Sequence, residues 1–307
     1  ETFDDPEKVM DYVKAEGKYP VVIKADGLAL GKGVLICQNE QEAADGVKEI
    51  MLDKKFGASG NHVVVEEFLT GPEVSVLSFC DGKTVKPMVS SMDHKRALDH
   101  DEGLNTGGMG TVAPNPYYTP AVAERCMQEI FLPTVAAMQA EGCPFKGCLY
   151  FGLMLTPDGP KVIEYNCRFG DPETQVVLPL LESDLLTVME ATTNGTLDKT
   201  DVKFSDGAAA CVILASGGYP LAYEKGKEIT GLTAGQLDAA DVTVYHAGTA
   251  IKDGRLVTNG GRVLGVTATA NTLPEALKKA YAATESIHFD KLHKRSDIGA
   301  RALAAMQ

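Results

Sequence analysis

"VIEYNCRFGDPETQ", residues 162–175, has the pattern of a β-strand that runs into a turn. Its first residues are β-branched or aromatic, which favours a strand, and Gly170 begins the turn. Because side chains alternate between the two faces of a strand, one face is predicted to carry Glu164, Asn166 and Arg168. The opposite face is predicted to pack against the core through Ile163, Tyr165 and Cys167.

The polar face of this strand has the composition of a metal–phosphate site. Carboxylate and amide oxygens bind hard cations, and Mg²⁺ usually shares its coordination shell with substrate phosphates. Glu164 and Asn166 are therefore candidate ligands for Mg²⁺ or Mn²⁺, and Arg168 is a candidate phosphate-binding residue. The alternative is a solvated sheet face with a surface ion pair, and this stretch by itself leaves both open.

The composition is that of a globular protein with more than one domain. The chain has 307 residues, 44% hydrophobic and 31 of them glycine, so we expect two or three domains of α/β or α+β class. No apolar run is long enough for a membrane span, and the N-terminus lacks the basic start and apolar core of a signal peptide. Because the chain does not begin with Met, we expect it to be a fragment.

The net charge and the cysteine content restrict the possible binding partners and the cellular compartment of the protein. The formal charge of −13 argues against a general nucleic-acid partner, so any bound phosphate must meet a local group of Lys and Arg. Seven cysteines without a pairing pattern favour a reducing cytoplasm. We therefore expect small-molecule partners, with neither a nucleic acid nor a membrane among them.

Hydrophobic periodicity predicts a small α/β unit over residues 1–70, followed by a strand-rich region and a break near 198–206. A glycine-rich loop is predicted at 93–110, and a hairpin at 146–167. Asn39, with Glu42 three residues later, is a predicted helix N-cap. The helices are predicted at 5–17, 39–53, 119–142 with a kink at Pro133, 175–195 and 273–287.

The segment VVIKADGLALGKGV, residues 21–34, places two lysines beside a glycine-rich turn. Lys24 lies at the end of a predicted strand and Lys32 within the turn, where the backbone can approach a ligand closely. This arrangement suits a polyphosphate. It matches neither GxxxxGK[ST] nor GxGxxG, so a plain hairpin turn is an equally good interpretation.

The segment VVVEEFLTGPE, residues 63–73, ends an apolar strand in two acids and an aromatic residue. It could be a hinge whose backbone pairs with an adenine edge, with Glu73 on the ribose hydroxyls. The alternative is a strand that simply runs into a turn. The candidate adenine-binding residues are Glu66, Glu67, Phe68 and Leu69.

The segment MDHKRALDHDEGLNTGGMG, residues 92–110, crowds charged and amide side chains around glycines. Successive backbone N–H groups at 106–108 would suit an anion, whereas a solvated charged loop is the default alternative. His94 is predicted to be structural. The candidate substrate-binding residues here are Asp93, Lys95, Asn105, Thr106, Gly107 and Gly108.

In their order along the chain, VVIKADGLALGKGV, VVVEEFLTGPE, DHKR, NTGGMG and EYNCRFGDPETQ resemble the phosphoribosylamine–glycine ligases, ATP-grasp enzymes of purine synthesis. The resemblance covers essentially the whole chain. RFGDPETQ and NTGGMG are specific to that family, whereas the lysine loop is shared by ATP-grasp enzymes generally. Met92 and Leu104 depart from the family pattern, which usually has Gln and Pro at these positions.

This resemblance implies an α+β ATP-grasp fold of three parts: a lid at 1–71, a central domain at 72–204 and a strand-rich C-terminal domain at 205–307. It also implies that an N-terminal domain of the family, which helps to hold phosphoribosylamine, is missing. We therefore expect the chain to bind Mg-ATP but to make little glycinamide ribonucleotide.

The resemblance implies a ligase that transfers the γ-phosphoryl group of ATP to glycine and then joins the glycyl group to phosphoribosylamine. Glu164 and Asn166 would hold the metal, and Lys24 and Lys32 would balance phosphate charge. The expected catalytic residues are Arg168, Lys95 and Asn105. The alternatives are another ATP-grasp carboxylate ligase, which RFGDPETQ argues against, and a nucleotide-binding module without catalysis.

Overall fold

The computed structural model describes residues 1–27, 29, 33–232 and 241–307. It divides the chain into two units, Glu1–Thr70 and Gly71–Gln307. The elements of the first unit are β1 (Thr2–Phe3), α1 (Pro6–Glu16), β2 (Val21–Ala25), β3 (Val34–Cys37), α2 (Glu40–Val47) continued by a π turn (Lys48–Leu52), a 3₁₀ turn (Gly57–Gly60) and β4 (Val63–Glu67).

Both helices of the first unit begin at the residues that the sequence predicts. The Asp5 side chain accepts a hydrogen bond from the Glu7 amide (2.8 Å), and α1 ends at Gly17 in the left-handed conformation. Asn39 Oδ1 accepts from the Glu42 amide (3.0 Å), as an N-cap does. Local capping chemistry therefore sets the ends of these helices.

The sheet of the first unit has the order β1-β4-β2-β3 and one covered face. Ile23 and Val65 are buried on that face, in a cluster with Val9 and Val13 of α1 and Ala43 of α2. The sheet face opposite this cluster carries more exposed residues and is described with the site below.

The second unit begins with a strand-rich stretch and ends with two helices. Its elements up to residue 140 are β5 (Glu73–Asp81), β6 (Val85–Pro87), β7 (Met92–Asp93), β8 (Arg96–Leu98), a 3₁₀ turn (Asp99–Asp101), β9 (Glu102–Asn105), β10 (Gly110–Ala113), α3 (Pro120–Cys126), a π turn (Met127–Phe131) and α4 (Leu132–Ala140). From there they are β11 (Lys146–Thr156), β12 (Gly159–Asn166), α5 (Thr174–Val177), a 3₁₀ turn (Leu178–Leu180), α6 (Leu185–Asn194), a 3₁₀ turn (Leu197–Lys199), β13 (Ala208–Ser216), β14 (Val242–His246), β15 (Thr249–Lys252), β16 (Arg255–Thr258), β17 (Arg262–Ala270), α7 (Leu273–Thr284), β18 (Leu292–His293) and α8 (Ala300–Ala305).

Two antiparallel sheets organise the second unit. One has the order β12-β11-β5-β6, and the other joins β14, β17, β13, β10 and β7, with β18 also paired to β13. Strand β13 is buried along its whole length, as expected for the centre of a sheet. The second sheet combines strands from both sides of residue 204, so the predicted boundary between a central and a C-terminal domain falls inside one unit.

One helix prediction needs correction, and a second helix contains a π turn that the sequence did not predict. The segment predicted as one helix at 175–195 forms α5 and α6, because Pro179 lies in a 3₁₀ turn and Asp184 caps a new helix by accepting from the Thr187 amide (2.8 Å). The predicted kink at Pro133 is preceded by a π turn, in which the Leu132 amide bonds to the Met127 carbonyl five residues back.

The predicted glycine-rich loop at 93–110 contains strands. β7 pairs with β10, while β8 and β9 form a hairpin that turns through His100 and Asp101, both with positive φ. The sequence pattern missed this hairpin because its strands are only three and four residues long, too short to show a regular alternation of apolar and polar residues.

This hairpin is fastened to the C-terminal segment of the same unit. Arg295, only 1% exposed, donates from Nη1 to Asp101 Oδ1 (3.0 Å) and to the Arg96 carbonyl (3.1 Å), and from Nε to Asp297 Oδ1 (2.7 Å). Hydrogen bonds to a buried charge are the stronger kind, and leaving such a charge unpaired is costly. The hairpin position therefore depends on residues almost 200 positions away.

His94 also connects this region to the C-terminal segment, through hydrogen bonds of an uncharged ring. The Gly299 amide donates to His94 Nε2 (3.0 Å), so the ring proton lies on Nδ1, which donates to the Gly110 carbonyl (3.0 Å). Burial, helped by the charges of Arg295 and Arg301, lowers the pKa of His94 from 6.5 to about 4. The structural role predicted for His94 is the one that these bonds describe.

We predict that His94 makes the protein less stable as the pH falls from 6.5 to 4. In that range the unfolded chain binds a proton on this ring and the folded protein does not, so up to about 3 kcal/mol of unfolding free energy is lost. Urea denaturation of the wild type and of His94→Gln at several pH values measures this. The variant should lose less stability over this range, and parallel curves would contradict the assignment.

Candidate active site

The open face of the first unit's sheet combines apolar side chains with an ion pair. Strand register places Lys24 opposite Val34 and Val64, and Val22 opposite Ile36 and Glu66. Lys24 Nζ lies 2.7 Å from Glu66 Oε2. Val34 and Ile36 are 44% and 49% exposed, so this face offers an uncovered apolar surface beside a partly buried lysine.

The other nucleotide-binding candidates of the first unit lie near the end of β4. Glu67 is its last residue and is exposed, and Phe68 follows with 38% of its surface exposed. Leu69 is partly buried. Lys32 lies outside the described residues.

Glu164 and Asn166 share one face of β12 in the second unit, as predicted. They lie opposite Gly152 and Tyr150 of β11, and Asn166 Nδ2 donates to Glu164 Oε1 (3.4 Å). An ideal Cβ on Gly152 would lie 2.9 Å from Glu164 Cγ. Glycine at 152 therefore leaves the space in which the Glu164 side chain lies.

The remaining residues of this strand depart from simple alternation. The register with β11 shifts between Gly152 and Leu153, which places Ile163 as an extra residue in β12. Arg168 lies beyond the end of the strand, is exposed, and donates from Nη1 to the Phe169 carbonyl (3.0 Å). Its position was predicted from alternation, which does not apply beyond Asn166.

The packed face predicted for this strand is only partly present. The Tyr165 ring lies 5.6 Å from that of Phe151, and its hydroxyl is 3.0 Å from Thr134 Oγ1, yet 46% of the residue is exposed. Cys167, predicted to pack in the core, is exposed. It directly follows Asn166, the last residue of β12.

Lys95 lies among four carboxylates. Its Nζ is 2.9 Å from Glu73 Oε2. Burial opposes its charge, but Glu73, Glu164 and Asp93 outweigh this and raise the pKa of Lys95 above its ordinary value. Lys95 in turn stabilises the charge of Glu173. Glu73, predicted to bind ribose hydroxyls, is thus paired with a lysine of its own unit.

Two of these carboxyl groups, on the partly buried Asp93 and the buried Glu173, lie close enough to interact. Burial raises the pKa of Asp93 well above its ordinary value, and the neighbouring Glu173 raises it further. Burial likewise raises the pKa of Glu173, which is 5% exposed. Like charges so close disfavour double ionisation, so this pair retains a proton more readily than free carboxyls do.

Tyr150 and Ser75 complete the floor of this site. Their hydroxyl oxygens are 2.8 Å apart, and burial followed by Glu173 raises the pKa of Tyr150 well above its ordinary value. The sequence analysis missed Tyr150, Ser75 and Glu173 as site residues. Only Glu173 had a sequence signal, as an acid in the turn that follows the metal-candidate strand.

The backbone at 106–108 does not present free N–H groups to an anion. The Thr106 amide donates to the Lys95 carbonyl (2.7 Å), the Gly107 amide to Tyr219 Oη (3.0 Å), and the Gly108 amide to Thr106 Oγ1 (2.9 Å). The anion-binding role predicted for these amides is therefore not supported by their hydrogen bonds. Asn105, at the end of the exposed strand β9, precedes them.

The donor set around Glu164 fits a divalent cation that shares its ligands with a substrate. Within residues 1–27, 29, 33–232 and 241–307, no three His, Cys, Asp or Glu side chains form a metal cage. One carboxylate and one amide oxygen suit Mg²⁺ that takes its other ligands from phosphate and water. Four carboxylates against Lys95 and Arg168 also leave an excess of negative charge that a divalent cation would offset.

Solved structures show the class of protein to which this arrangement belongs. The chain superimposes with a TM-score of 0.87 and 38% identity on a phosphoribosylamine–glycine ligase of Thermotoga maritima, over 97% of this chain and 73% of that one. A Hydrogenobacter thermophilus biotin carboxylase domain gives a TM-score of 0.69 at 17% identity, over 99% and 64% of the two chains, which shows a shared fold. The class is that of the ATP-grasp enzymes.

Sequence comparison identifies the family within this class. The phosphoribosylglycinamide synthetase ATP-grasp (A) domain matches residues 1–174, and the C domain matches residues 209–301. Over 306 residues the chain is 48% identical to the phosphoribosylamine–glycine ligase of Vibrio vulnificus (strain YJ016), covering 99% of this chain and 71% of that relative. The chain belongs to the phosphoribosylglycinamide synthetase family of ATP-grasp ligases.

Two features bear on the environment of the protein. Among the described residues, no helix is both long and apolar enough to cross a membrane. All seven cysteines are unpaired.

We predict that Glu164→Gln removes the Mg²⁺ dependence of nucleotide binding. The variant keeps the size of an exposed side chain, so the fold should persist, but it removes the carboxylate that the metal needs. Calorimetric titration with ADP should show a gain in affinity on adding Mg²⁺ for the wild type and for Glu190→Gln, an exposed glutamate on α6. An equal gain for Glu164→Gln would contradict the metal assignment.

We predict that Lys24→Ala weakens ATP binding and spares adenosine. A charged hydrogen bond is worth about 1.5–3 kcal/mol, so ATP affinity should fall roughly tenfold or more. Lys18→Ala, which removes an 84% exposed lysine of the same unit, is the matched control. Equal weakening of ATP and adenosine in calorimetry would make Lys24 a structural partner of Glu66 instead.

Proposed function

We propose that the site on this chain serves the ATP-dependent ligation of glycine to 5-phosphoribosylamine; how much of this product the chain forms by itself stays a prediction. A glycine carboxylate oxygen accepts the γ-phosphoryl group of ATP, which gives ADP and glycyl phosphate. The amine nitrogen then attacks the carbonyl carbon, the bond from that carbon to the phosphate oxygen breaks, and the amine releases a proton. The products are glycinamide ribonucleotide, ADP and phosphate.

The observation that carries this proposal is the group around Lys95 together with the β12 face. Phosphoryl transfer needs alignment and charge neutralisation more than a covalent enzyme group. The site provides charged and hydrogen-bonding side chains for that purpose, close to Glu164 and Asn166. Family membership supports the choice of glycine and phosphoribosylamine, because the similar proteins carry that name.

In this proposal, the nucleotide-binding residues are the ones expected from the sequence. Lys24 and Lys32 bind phosphate oxygens, and the open apolar face beside Lys24 suits a planar base. The backbone and side chains of the segment after β4 contact adenine, with Glu73 near the ribose. The proposed nucleotide-binding residues are Lys24, Lys32, Glu66, Glu67, Phe68, Leu69 and Glu73.

Glu164 and Asn166 are the proposed ligands of Mg²⁺ or Mn²⁺. When bound, the metal supplies positive charge to the β- and γ-phosphate oxygens. Gly152 leaves room for the Glu164 side chain, because a Cβ at position 152 would lie only 2.9 Å from Glu164 Cγ. Tyr150 lies opposite Asn166 on the paired strands β11 and β12, so it supports the strand where Asn166 lies.

Arg168, Lys95 and Asn105 are the proposed catalytic residues. Arg168 is exposed beyond the strand end, where its guanidinium can meet the transferring phosphoryl group or the glycine carboxylate. Lys95 carries a firmly held charge beside Glu164 and neutralises the acyl phosphate. Asn105 binds the substrate from the end of β9.

Asp93 is the proposed contact to the substrate amine. Its carboxyl lies beside Lys95 and Glu173, and its raised pKa suits a group that exchanges a proton with an amine. Thr106, Gly107 and Gly108 shape this part of the substrate site through their packing, since their N–H groups are donated within the protein. We place the reaction in the cytoplasm, with small molecules as partners.

The function predicts that glycine, Mg-ATP and hydroxylamine yield glycine hydroxamate and ADP in equal amounts. Hydroxylamine takes the place of the amine substrate, so the first half of the reaction is measured without phosphoribosylamine. β-Alanine, one methylene longer, should give at least roughly tenfold less hydroxamate. Colorimetric detection of the hydroxamate and coupled detection of ADP measure both products.

The controls separate this function from its alternatives. Glu164→Gln should abolish hydroxamate formation, whereas Glu190→Gln should not. ADP release that depends on bicarbonate or another acid, and not on glycine, would indicate a different ATP-grasp ligase. Tight ADP binding with no acid-dependent turnover would indicate a nucleotide-binding module.

A further inference from the structure

Arg262, the first residue of β17, joins two segments that flank the proposed ligase site. Its Nη1 donates to the Gly107 carbonyl (2.8 Å) and to the Asp171 carbonyl (2.8 Å), and its Nη2 donates to Asp171 Oδ2 (3.1 Å). The side chain is 19% exposed. One planar guanidinium thus bonds the 106–108 backbone and the turn after β12 simultaneously, a geometry that the fork of arginine allows.

Close packing around the Arg262 contact explains why glycine occupies positions 107 and 108. An ideal Cβ on Gly107 would lie 2.9 Å from Arg262 Cζ, so a larger residue would displace the guanidinium. Gly108 has φ +115°, and its Cβ would lie 2.5 Å from Pro172 Cδ and 2.6 Å from Asp93 Oδ1. Both glycines therefore let the backbone pack directly on the arginine, on the turn and on Asp93.

The contact reaches the proposed catalytic residues through short paths. On one side, Thr106 donates from its amide (2.7 Å) and from Oγ1 (2.8 Å) to the Lys95 carbonyl. On the other side, Asp171 Oδ1 accepts from Gln175 Nε2 (2.7 Å), and the same turn carries the buried Glu173. A shift of Arg262 would move Lys95 and Glu173 relative to each other.

Tyr219, three residues after the end of β13, supports the same segment. Its hydroxyl accepts the Gly107 N–H (3.0 Å), so the Gly107 peptide is held at its nitrogen by Tyr219 and at its oxygen by Arg262. An ideal Cβ on Gly261 would overlap the Tyr219 ring. Glycine at position 261 therefore leaves room for the Tyr219 ring, whose hydroxyl makes the second contact to Gly107.

We propose that Arg262 is a positioning residue of the ligase site. It holds the 106–108 backbone against the Asp171–Pro172 turn, and so fixes Lys95 and Asp93 relative to the β12 residues that bind metal. The inference rests on the proposed function for its effect on rate, but not for its effect on the backbone. Arg262 thus contributes to the chemistry by positioning other residues of the site, although it lies far from them along the chain.

The test replaces Arg262 and measures rate, nucleotide affinity and backbone exchange separately. In Arg262→Met, the glycine hydroxamate kcat should fall roughly 10- to 100-fold, because a displacement of about 1 Å costs that much. The dissociation constant of Mg-ADP should change less than about twofold, since its ligands remain. Hydrogen–deuterium exchange of residues 104–110 should become faster.

Further variants separate positioning from general destabilisation. Arg262→Lys keeps the charge without the fork and should recover only part of the rate. Millimolar guanidinium should partly rescue Arg262→Ala, whereas methylammonium should not. Arg255→Met, which removes an arginine that is 62% exposed in a surface ion pair with Glu228, is the control. If Arg262→Met fails to fold, Tyr219→Phe and Asp171→Asn report on the same contacts.

Three results would overturn the proposal. The first is a hydroxamate rate in Arg262→Met within about twofold of the wild-type rate, as expected if Arg262 is not coupled to the site. The second is unchanged hydrogen–deuterium exchange at residues 104–110. The third is a parallel loss of rate and Mg-ADP affinity, which would make the residue merely structural. If the wild type forms no hydroxamate, the proposed function fails, and faster exchange in the variant still supports the backbone contact.

Discussion

The crowding of carboxylates around Lys95 is the constraint on which the second unit's site depends. Glu73, Asp93, Glu164 and Glu173 all interact with this lysine, and loss of contact with water raises the pKa values of two of them, Asp93 and Glu173. Two unit charges about 4 Å apart interact by about 4 kcal/mol at an effective dielectric constant of 20, so the spacing of these groups matters greatly. Binding a cation, or retaining a proton on the Asp93–Glu173 pair, relieves the repulsion. The protein must therefore hold Lys95 firmly, since a displaced lysine would leave buried carboxylates uncompensated.

That requirement explains why the segment around Lys95 is fastened by residues far along the chain. Arg295 and the Gly299 amide hold the hairpin and His94 on one side of Lys95, and Arg262 and Tyr219 hold the 106–108 backbone on the other. Strands β7 and β10, on either side of the hairpin, belong to the same sheet as β13 and β17. The C-terminal strands therefore support the backbone that carries Lys95.

Local chemistry in the sequence predicted the parts of the fold that depend on near neighbours. The cap at Asn39 and the β11–β12 hairpin were predicted from residue types a few positions apart, and the two-residue period placed Glu164 beside Asn166. The prediction failed where a distant residue decides the outcome. Nothing near Gly107 reveals that its N–H is taken by Tyr219, 112 positions later, or that Arg262 meets its carbonyl. The extra residue at Ile163 and the exposure of Cys167 likewise depend on how β11 pairs with β12 and where that pairing ends. The ATP-grasp fold was predicted from motifs and is confirmed by the comparisons with known proteins.

The residues of the RFGDPETQ turn differ in what they do, although they stand together in one motif. Asp171 accepts from Arg262 and Gln175, and Glu173 is buried beside Asp93, so these side chains are occupied within the protein. Arg168, by contrast, is exposed with its guanidinium bonded only locally to the Phe169 carbonyl among the contacts described. A motif that is specific to a family therefore need not consist of ligand contacts. Most polar groups of the RFGDPETQ motif hold the turn in its conformation. The turn then sets the distance between the metal-candidate strand β12 and Lys95. The geometry of a two-substrate reaction depends on such distances, so an ion pair within the protein, such as Arg262 with Asp171, can be as specific a mark of the chemistry as a residue that touches the substrate.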